Sequence, residues 1–182
     1  MPNVDTPYEP YPTIIIRTDP TVNPTFHLTV KEQLDLINSK PIGKKLLKGL
    51  HKGKAAVTFG FKVAILRAGN KVDNSTQDSK WSGGNVCKRT SEDKAKNGQG
   101  TTSAITYNPN MDKTPDGKRP PWIGLAHELC HALHNINGEA LADIVQEENM
   151  TVGIGDYAGD KDAINENNIR KEHGIAPRTQ YT

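Results

Sequence analysis

The sequence is poor in cysteine, in aromatic residues and in long apolar runs. Two cysteines in 182 residues exclude a disulfide framework and a four-thiolate zinc site. With 5% aromatic and 34% hydrophobic residues, a modest core and a single domain over residues 1–182 are expected. No stretch approaches the ~18 apolar residues of a membrane span, which excludes an integral membrane helix. The opening MPNVDTPYEP lacks a basic n-region and an apolar h-region, so no ordinary secretory signal is expected. A formal net charge of +2 argues against a general nucleic-acid binder. Neither nucleic acid nor membrane is therefore an expected partner.

The near-neutral total hides a segregation. Residues 31–71 carry ten Lys/Arg against two Asp/Glu, whereas residues 139–166 carry one Lys against eight acids. A cleft walled by the acidic half, with Asp156, Asp160 and Asp162, would favour basic substrate segments.

Residues 1–24 hold six of the twelve prolines and read as extended chain around a short strand, Thr13–Arg17. Thr29 and Glu32 fit a capping box for a helix burying Val30, Leu34 and Ile37 and ending at Pro41. A second helix buries Ile42, Leu46, Leu47 and Leu50, stops at Gly53, and turns Lys44, Lys45, Lys48 and Lys52 outward. Residues 55–68 read as a long strand or a pair. Residues 73–102 offer almost nothing to bury and read as a long polar loop, either a lid or mobile. Thr102–Tyr107 is the next strand, and Pro120-Pro121 leads into a helix.

That helix carries His127-Glu128-Leu129-Cys130-His131. At about 100° per residue, Leu125, Leu129, Ala132, Leu133 and Ile136 form one stripe, with His127 and His131 opposite and one turn apart. Two imidazoles so spaced can share one Zn²⁺, with Glu128 beside them to handle a proton. In this composition the pattern arises by chance only about 0.01 times.

Zinc needs a third protein ligand and one open position. His134 lies on the same helix, which cannot easily wrap three side chains round one ion. Metzincin spacing requires Gly at 134 and His at 137, where this chain has His134 and Asn137. Glu139–Val152 reads as a further helix with an apolar arc of Ala140, Leu141, Ile144, Val145 and Val152. Glu148 projects near the centre of that arc, where a carboxylate needs compensation, so it is the expected third ligand and Glu147 the reserve. Asp143, Glu139 and Thr151 are candidates to orient a ligating histidine. Zn²⁺ would polarise a scissile carbonyl while Glu128 acts as general base. Tyr157, His173, Arg178 and Tyr181 are eligible oxyanion stabilisers. Thr102–Tyr107 is the candidate edge strand for substrate pairing.

The blocks Leu125-Ala-His-Glu-Leu-Cys-His-Ala-Leu-His134, Glu147-Glu-Asn-Met-Thr-Val-Gly153, Glu166-Asn-Asn-Ile-Arg170 and Pro177-Arg-Thr-Gln-Tyr181 resemble the M91 (NleD-like) zinc endopeptidases of bacterial secreted effectors. The resemblance covers about 60 residues, in several spaced blocks in the right order. It implies zinc at His127 and His131, Glu128 as the catalytic carboxylate, and a family glutamate at Glu148. It also implies that Arg178 and Tyr181 return to the site, which raises Tyr181 as oxyanion stabiliser. Delivery by a specialised secretion system into a host or rival cell follows, with a cognate immunity protein or secretion apparatus as possible partners.

The expected fold is therefore α+β, a compact zincin-like metallopeptidase domain with a small sheet packed on an active-site helix. The expected activity is a zinc endopeptidase, toxin or effector, cleaving protein or peptide in a target cell. Its rivals are a zinc amidase cutting cell-wall peptide and a non-catalytic zinc-stabilised binding module. Cys87 and Cys130 either pair, tethering the polar loop over the cleft, or remain separate thiols. Trp81 is a packing anchor or a substrate contact, and Trp122 a core residue. Asn74 and Asn149 match glycosylation acceptors by chance.

Overall fold

Strand β1 (Val4–Tyr8) and strand β2 (Tyr11–Thr18) open the chain as an antiparallel pair. The computed structural model describes residues 2–57, 60–67, 85–114 and 117–181. After β2 come α1 (Phe26–Asn38), α2 (Pro41–Lys52), β3 (Val63–Arg67), β4 (Val86–Arg89), α3 (Glu92–Lys96) and β5 (Ser103–Tyr107). A short ladder of β6 (Lys113–Thr114) with β7 (Gly117–Lys118) precedes α4 (Pro121–Asn137), α5 (Ile144–Val152) and α6 (Glu166–Glu172). The fold is α+β.

The five-stranded sheet has the order β1-β2-β3-β5-β4. Its three central strands run parallel, and each edge strand runs antiparallel to its neighbour. Ile14, Ile16, Ile65 and Ile105 of the sheet meet Val30, Leu34 and Ile37 of α1, Leu46, Leu47 and Leu50 of α2, and Leu125, Leu129 and Ile136 of α4 in one core. Both early helices bury the faces that their apolar spacing dictates.

Several expectations are corrected. The Pro-rich lead-in contains β1, whose Pro7 sits where the register shifts, on an edge strand that tolerates a missing N–H. Helix α1 begins at Phe26 rather than after Thr29, and the Asn23 side chain accepts from the Thr25 N–H and hydroxyl at 3.2 and 3.1 Å. Thr29 and Glu32 therefore lie inside the helix, not at its cap. Within 55–68, only Val63–Arg67 is a strand among the described residues. The polar stretch from 85 onward is not loop but β4 and α3, and α3 is capped by Ser91. The remainder of that stretch, with Trp81 and Asn74, lies outside the described residues.

Strand β5 lies between β3 and β4, so Thr102–Tyr107 is interior, and among the described residues β4 is the edge strand on that side. Charged residues such as Lys88 and Arg89 suit an edge and disguise it as loop. Asn135 of α4 fixes that edge: its Nδ2 donates to Ser103 Oγ at 3.1 Å and to Cys87 Sγ at 3.6 Å, while its Oδ1 accepts from Arg89 at 3.3 Å. Gly138 ends α4 at φ +74, against the Gly98 backbone, where a Cβ would have no room. Residues 139–143 then cross to α5, which starts at Ile144 rather than Glu139, with Asp143 accepting from the Gln146 N–H at 2.9 Å.

Candidate metal centre

Helix α4 turns its leucine stripe into the core and presents His127, Glu128 and His131 on its other side. The two imidazoles lie 4.9 Å apart, nearly perpendicular at 80°. Glu148, from α5, places Oε2 at 3.2 Å from His127 Nε2 and 3.3 Å from His131 Nε2. The other nitrogen of each ring is held from behind. His127 Nδ1 donates to Glu166 Oε2 at 2.8 Å, and His131 Nδ1 to Glu147 Oε1 at 2.9 Å, with Thr151 Oγ1 at 3.2 Å. Glu147 is itself fixed by His134 Nδ1 at 2.8 Å and by the Leu141 N–H at 2.8 Å.

This donor set fits zinc. Nitrogen and oxygen ligands at about 2.0–2.1 Å from a tetrahedral ion stand roughly 3.3 Å apart. The observed separations of 3.2 and 3.3 Å match that spacing. The carboxylates behind the rings fix each tautomer so that the Nε2 lone pairs converge. Without a cation, each of these ring nitrogens faces a carboxylate oxygen, an arrangement that favours protonated rings. Burial opposes that charge, but the hydrogen bonds to Glu147 and Glu148 overcome it and push His131 up to about 10. His127 is raised in the same way by Glu148 and Glu166. Glu148 is held at about 2, its burial outweighed by the two histidines.

Glu166 is fully buried, and Arg170 Nε (2.7 Å), Arg178 (3.4 Å) and Arg119 (3.6 Å) surround it besides His127. Burial alone would raise this carboxyl; the histidine hydrogen bond and the neighbouring cations hold it at about 2. It therefore stays ionised behind His127. Glu128, by contrast, is raised by burial.

A cleft of about 490 Å³ opens over these groups. Val86, Cys87, Lys88 and Arg89 of β4 form one wall, α4 the floor, and Leu141 and Ile144 the other wall, with Tyr181 also lining it. The Tyr181 ring stacks on His127, centroids 6.3 Å apart at 12°. Burial and the nearby Glu148 carboxylate push the Tyr181 hydroxyl up to about 12. The Arg178 guanidinium lies 5.5 Å from the Tyr181 ring centroid and bonds the Tyr181 carbonyl. Of the four eligible oxyanion stabilisers, these two reach the site. Tyr157 instead bonds Gln146 at 3.2 Å, and His173 packs on Trp122 at 4.6 Å.

Other expectations fare differently. Glu148 stands at the histidines, but the apolar arc that points to it is only partly buried: Ile144 and Val145 are 77% and 67% exposed. The inward face of α5 is Glu147, Thr151 and Val152. Glu147 lies behind His131 rather than at the converging nitrogens. Of the proposed orienting groups, Thr151 touches His131, while Asp143 caps α5 and the Glu139 N–H bonds the His134 carbonyl. Glu166, which the spacing alone did not single out, sits behind His127; its four-residue offset from Arg170 was the available signal. Asp156, Asp160 and Asp162 do not line the cleft; its acids are Glu92, Glu128, Glu147 and Glu148, with Lys88 and Arg89 on the β4 side. Cys87 and Cys130 are free thiols.

A family model described as "Effector protein", Peptidase M91, matches residues 17–181. No curated protein matches the chain. Among solved structures, the chain is similar to the catalytic domain of Clostridium botulinum neurotoxin serotype F, at 19% identity and TM-score 0.54, covering 79% of this chain and 53% of that one. It is also similar to the Clostridium botulinum neurotoxin serotype F light chain, at 20% identity and TM-score 0.52, covering 76% of this chain and 45% of that one. The shared feature is the fold, and this chain spans about half the length of those two.

Proposed function

The chain belongs to the Peptidase M91 family of effector proteins, and on that premise we propose that it is a zinc-dependent endopeptidase. His127, His131 and Glu148 would hold the ion, and Glu128 would be the general base. The observation that carries this reading is the pair of imidazoles whose Nδ1 atoms are tied to carboxylates while their Nε2 atoms face Glu148 at 3.2 and 3.3 Å.

Bound there, zinc would polarise the scissile carbonyl and acidify the attacking water. Glu128 accepts that water's proton as the oxygen bonds to the carbonyl carbon. It then delivers the proton to the amide nitrogen as the C–N bond breaks, so that an acid and an amine leave. The Tyr181 hydroxyl donates to the developing oxyanion, and Arg178 keeps the tyrosine in place.

Strand β4 would receive the substrate backbone. The Thr90 N–H bonds the Thr102 carbonyl at 3.0 Å, so by antiparallel alternation Lys88 and Val86 also face β5. Cys87 and Arg89 then turn their main-chain groups to the free edge, where an extended peptide can add. The substrate in this reading is a protein or peptide of a target cell, reached through a specialised secretion system. The effector family supports that setting, and a cognate immunity protein or secretion partner belongs to the same proposal. Hydrolysis of an unfolded protein by the purified chain, abolished by a chelator and restored by one equivalent of Zn²⁺, tests the reading. Activity that survives complete metal removal contradicts it.

A further inference from the structure

The described surface exposes eight large hydrophobic residues, and three of them, Val86, Ile144 and Tyr181, line the cleft over the metal centre. Tyr181 has a chemical role there; Ile144 has none. Ile144 is nonetheless the most exposed of the eight, at 77%, and its neighbour Val145 is 67% exposed. Residues four apart on a helix share a face, so Ile144 stands one turn from Glu148 on α5. Leu141, on the crossing segment, continues the same wall of the cleft. An isoleucine held in water at the lip of a polar cleft makes no contribution to the core, which the leucines of α4 already fill.

We infer that Leu141 and Ile144 form a specificity subsite that takes a bulky apolar side chain of the substrate, one flanking the scissile bond. The inference rests on the endopeptidase reading above. The lip belongs to the same cleft as Glu128 and Glu148, so a peptide laid along β4 brings a side chain against it. Water leaves both apolar surfaces when that side chain seats, and the gain is felt in kcat/KM because it fixes the peptide at the reacting carbon. The Ile144 side chain is 77% exposed and is none of the three metal-donor residues His127, His131 and Glu148, so zinc content separates a subsite effect from a damaged metal site.

The test is cleavage-site profiling of a proteome-derived peptide library by the zinc-loaded chain, with Glu128→Gln as the blank. Wild type is expected to enrich Leu, Ile, Met or Phe at one position beside the cut. Ile144→Asp should lower kcat/KM for such a peptide over its alanine counterpart about tenfold, with unchanged zinc content, and Ile144→Leu should restore it. Cleavage by wild type without apolar enrichment, or an Ile144→Asp profile identical to wild type, overturns the subsite while leaving the endopeptidase reading intact. Cuts that are equally present in the Glu128→Gln blank overturn the endopeptidase reading and the subsite with it.

Discussion

Glu147 and Glu148 are neighbours in the chain, yet they address opposite nitrogens of the same imidazole: Glu147 lies 2.9 Å from Nδ1 of His131 and Glu148 lies 3.3 Å from its Nε2. The adjacent residues of α5 diverge by the helical turn and so pass on either side of the ring. His127 has the same two-sided setting, with Glu166 at Nδ1 and Glu148 at Nε2. Acceptors on both sides of a ring require a positive charge, supplied either by a second proton or by one cation shared at Nε2.

Zinc binding should therefore release protons. In the metal-free protein the carboxylates around the rings push His131 up to about 10, so that ring is charged at pH 7, and raise His127 from its ordinary value. The ion displaces the Nε2 protons, which means that raising the pH strengthens binding, by up to about two decades in affinity per pH unit below the histidine values. Calorimetry at pH 7 in buffers of different ionisation enthalpy should show a release of at least about one proton per zinc, the one carried by His131. Release of none would mean that the rings are already neutral.

The two glutamates should separate in a metal-competition titration. Glu148→Ala removes a donor and should abolish stoichiometric zinc at micromolar chelator. Glu147→Ala keeps all three donors but frees His131 to rotate, and should weaken zinc only about 10- to 100-fold. Equal losses in both variants would contradict the division of roles.

Tyr181→Phe should leave zinc content and KM nearly unchanged and lower kcat about 10²-fold, the usual consequence of deleting one oxyanion donor. Steady-state kinetics on a single peptide resolves this. A raised KM with intact kcat would make Tyr181 a binding residue instead.

The sequence reveals its helices far better than its sheet edges. Helices α1, α2 and α4 bury the stripes that periodicity marks out, because each has a wide apolar face on one core. Strands β1 and β4 stay hidden, since an edge strand needs no continuous apolar face and these carry Pro7, Lys88 and Arg89. Mistaking β4 for loop had a chemical cost: it moved the expected substrate-pairing edge to the interior strand β5. The histidine pair was legible because four-residue spacing on a helix fixes geometry locally. The apolar arc that points to Glu148 is only partly buried: Ala140 and Val152 are inside, whereas Ile144 and Val145 are exposed. Glu166 comes from a helix 39 residues beyond His127, a distance over which no local pattern reports contact.

The central claim is that Glu128 moves the proton at a zinc site built by His127, His131 and Glu148. Mass-spectrometric mapping of new protein N-termini in target cells, wild type against Glu128→Gln, tests it most directly when the zinc content of both proteins is measured alongside. The account predicts equal zinc in the two proteins and a set of new N-termini that appears with wild type and vanishes with Glu128→Gln. The same N-termini produced by both would contradict it.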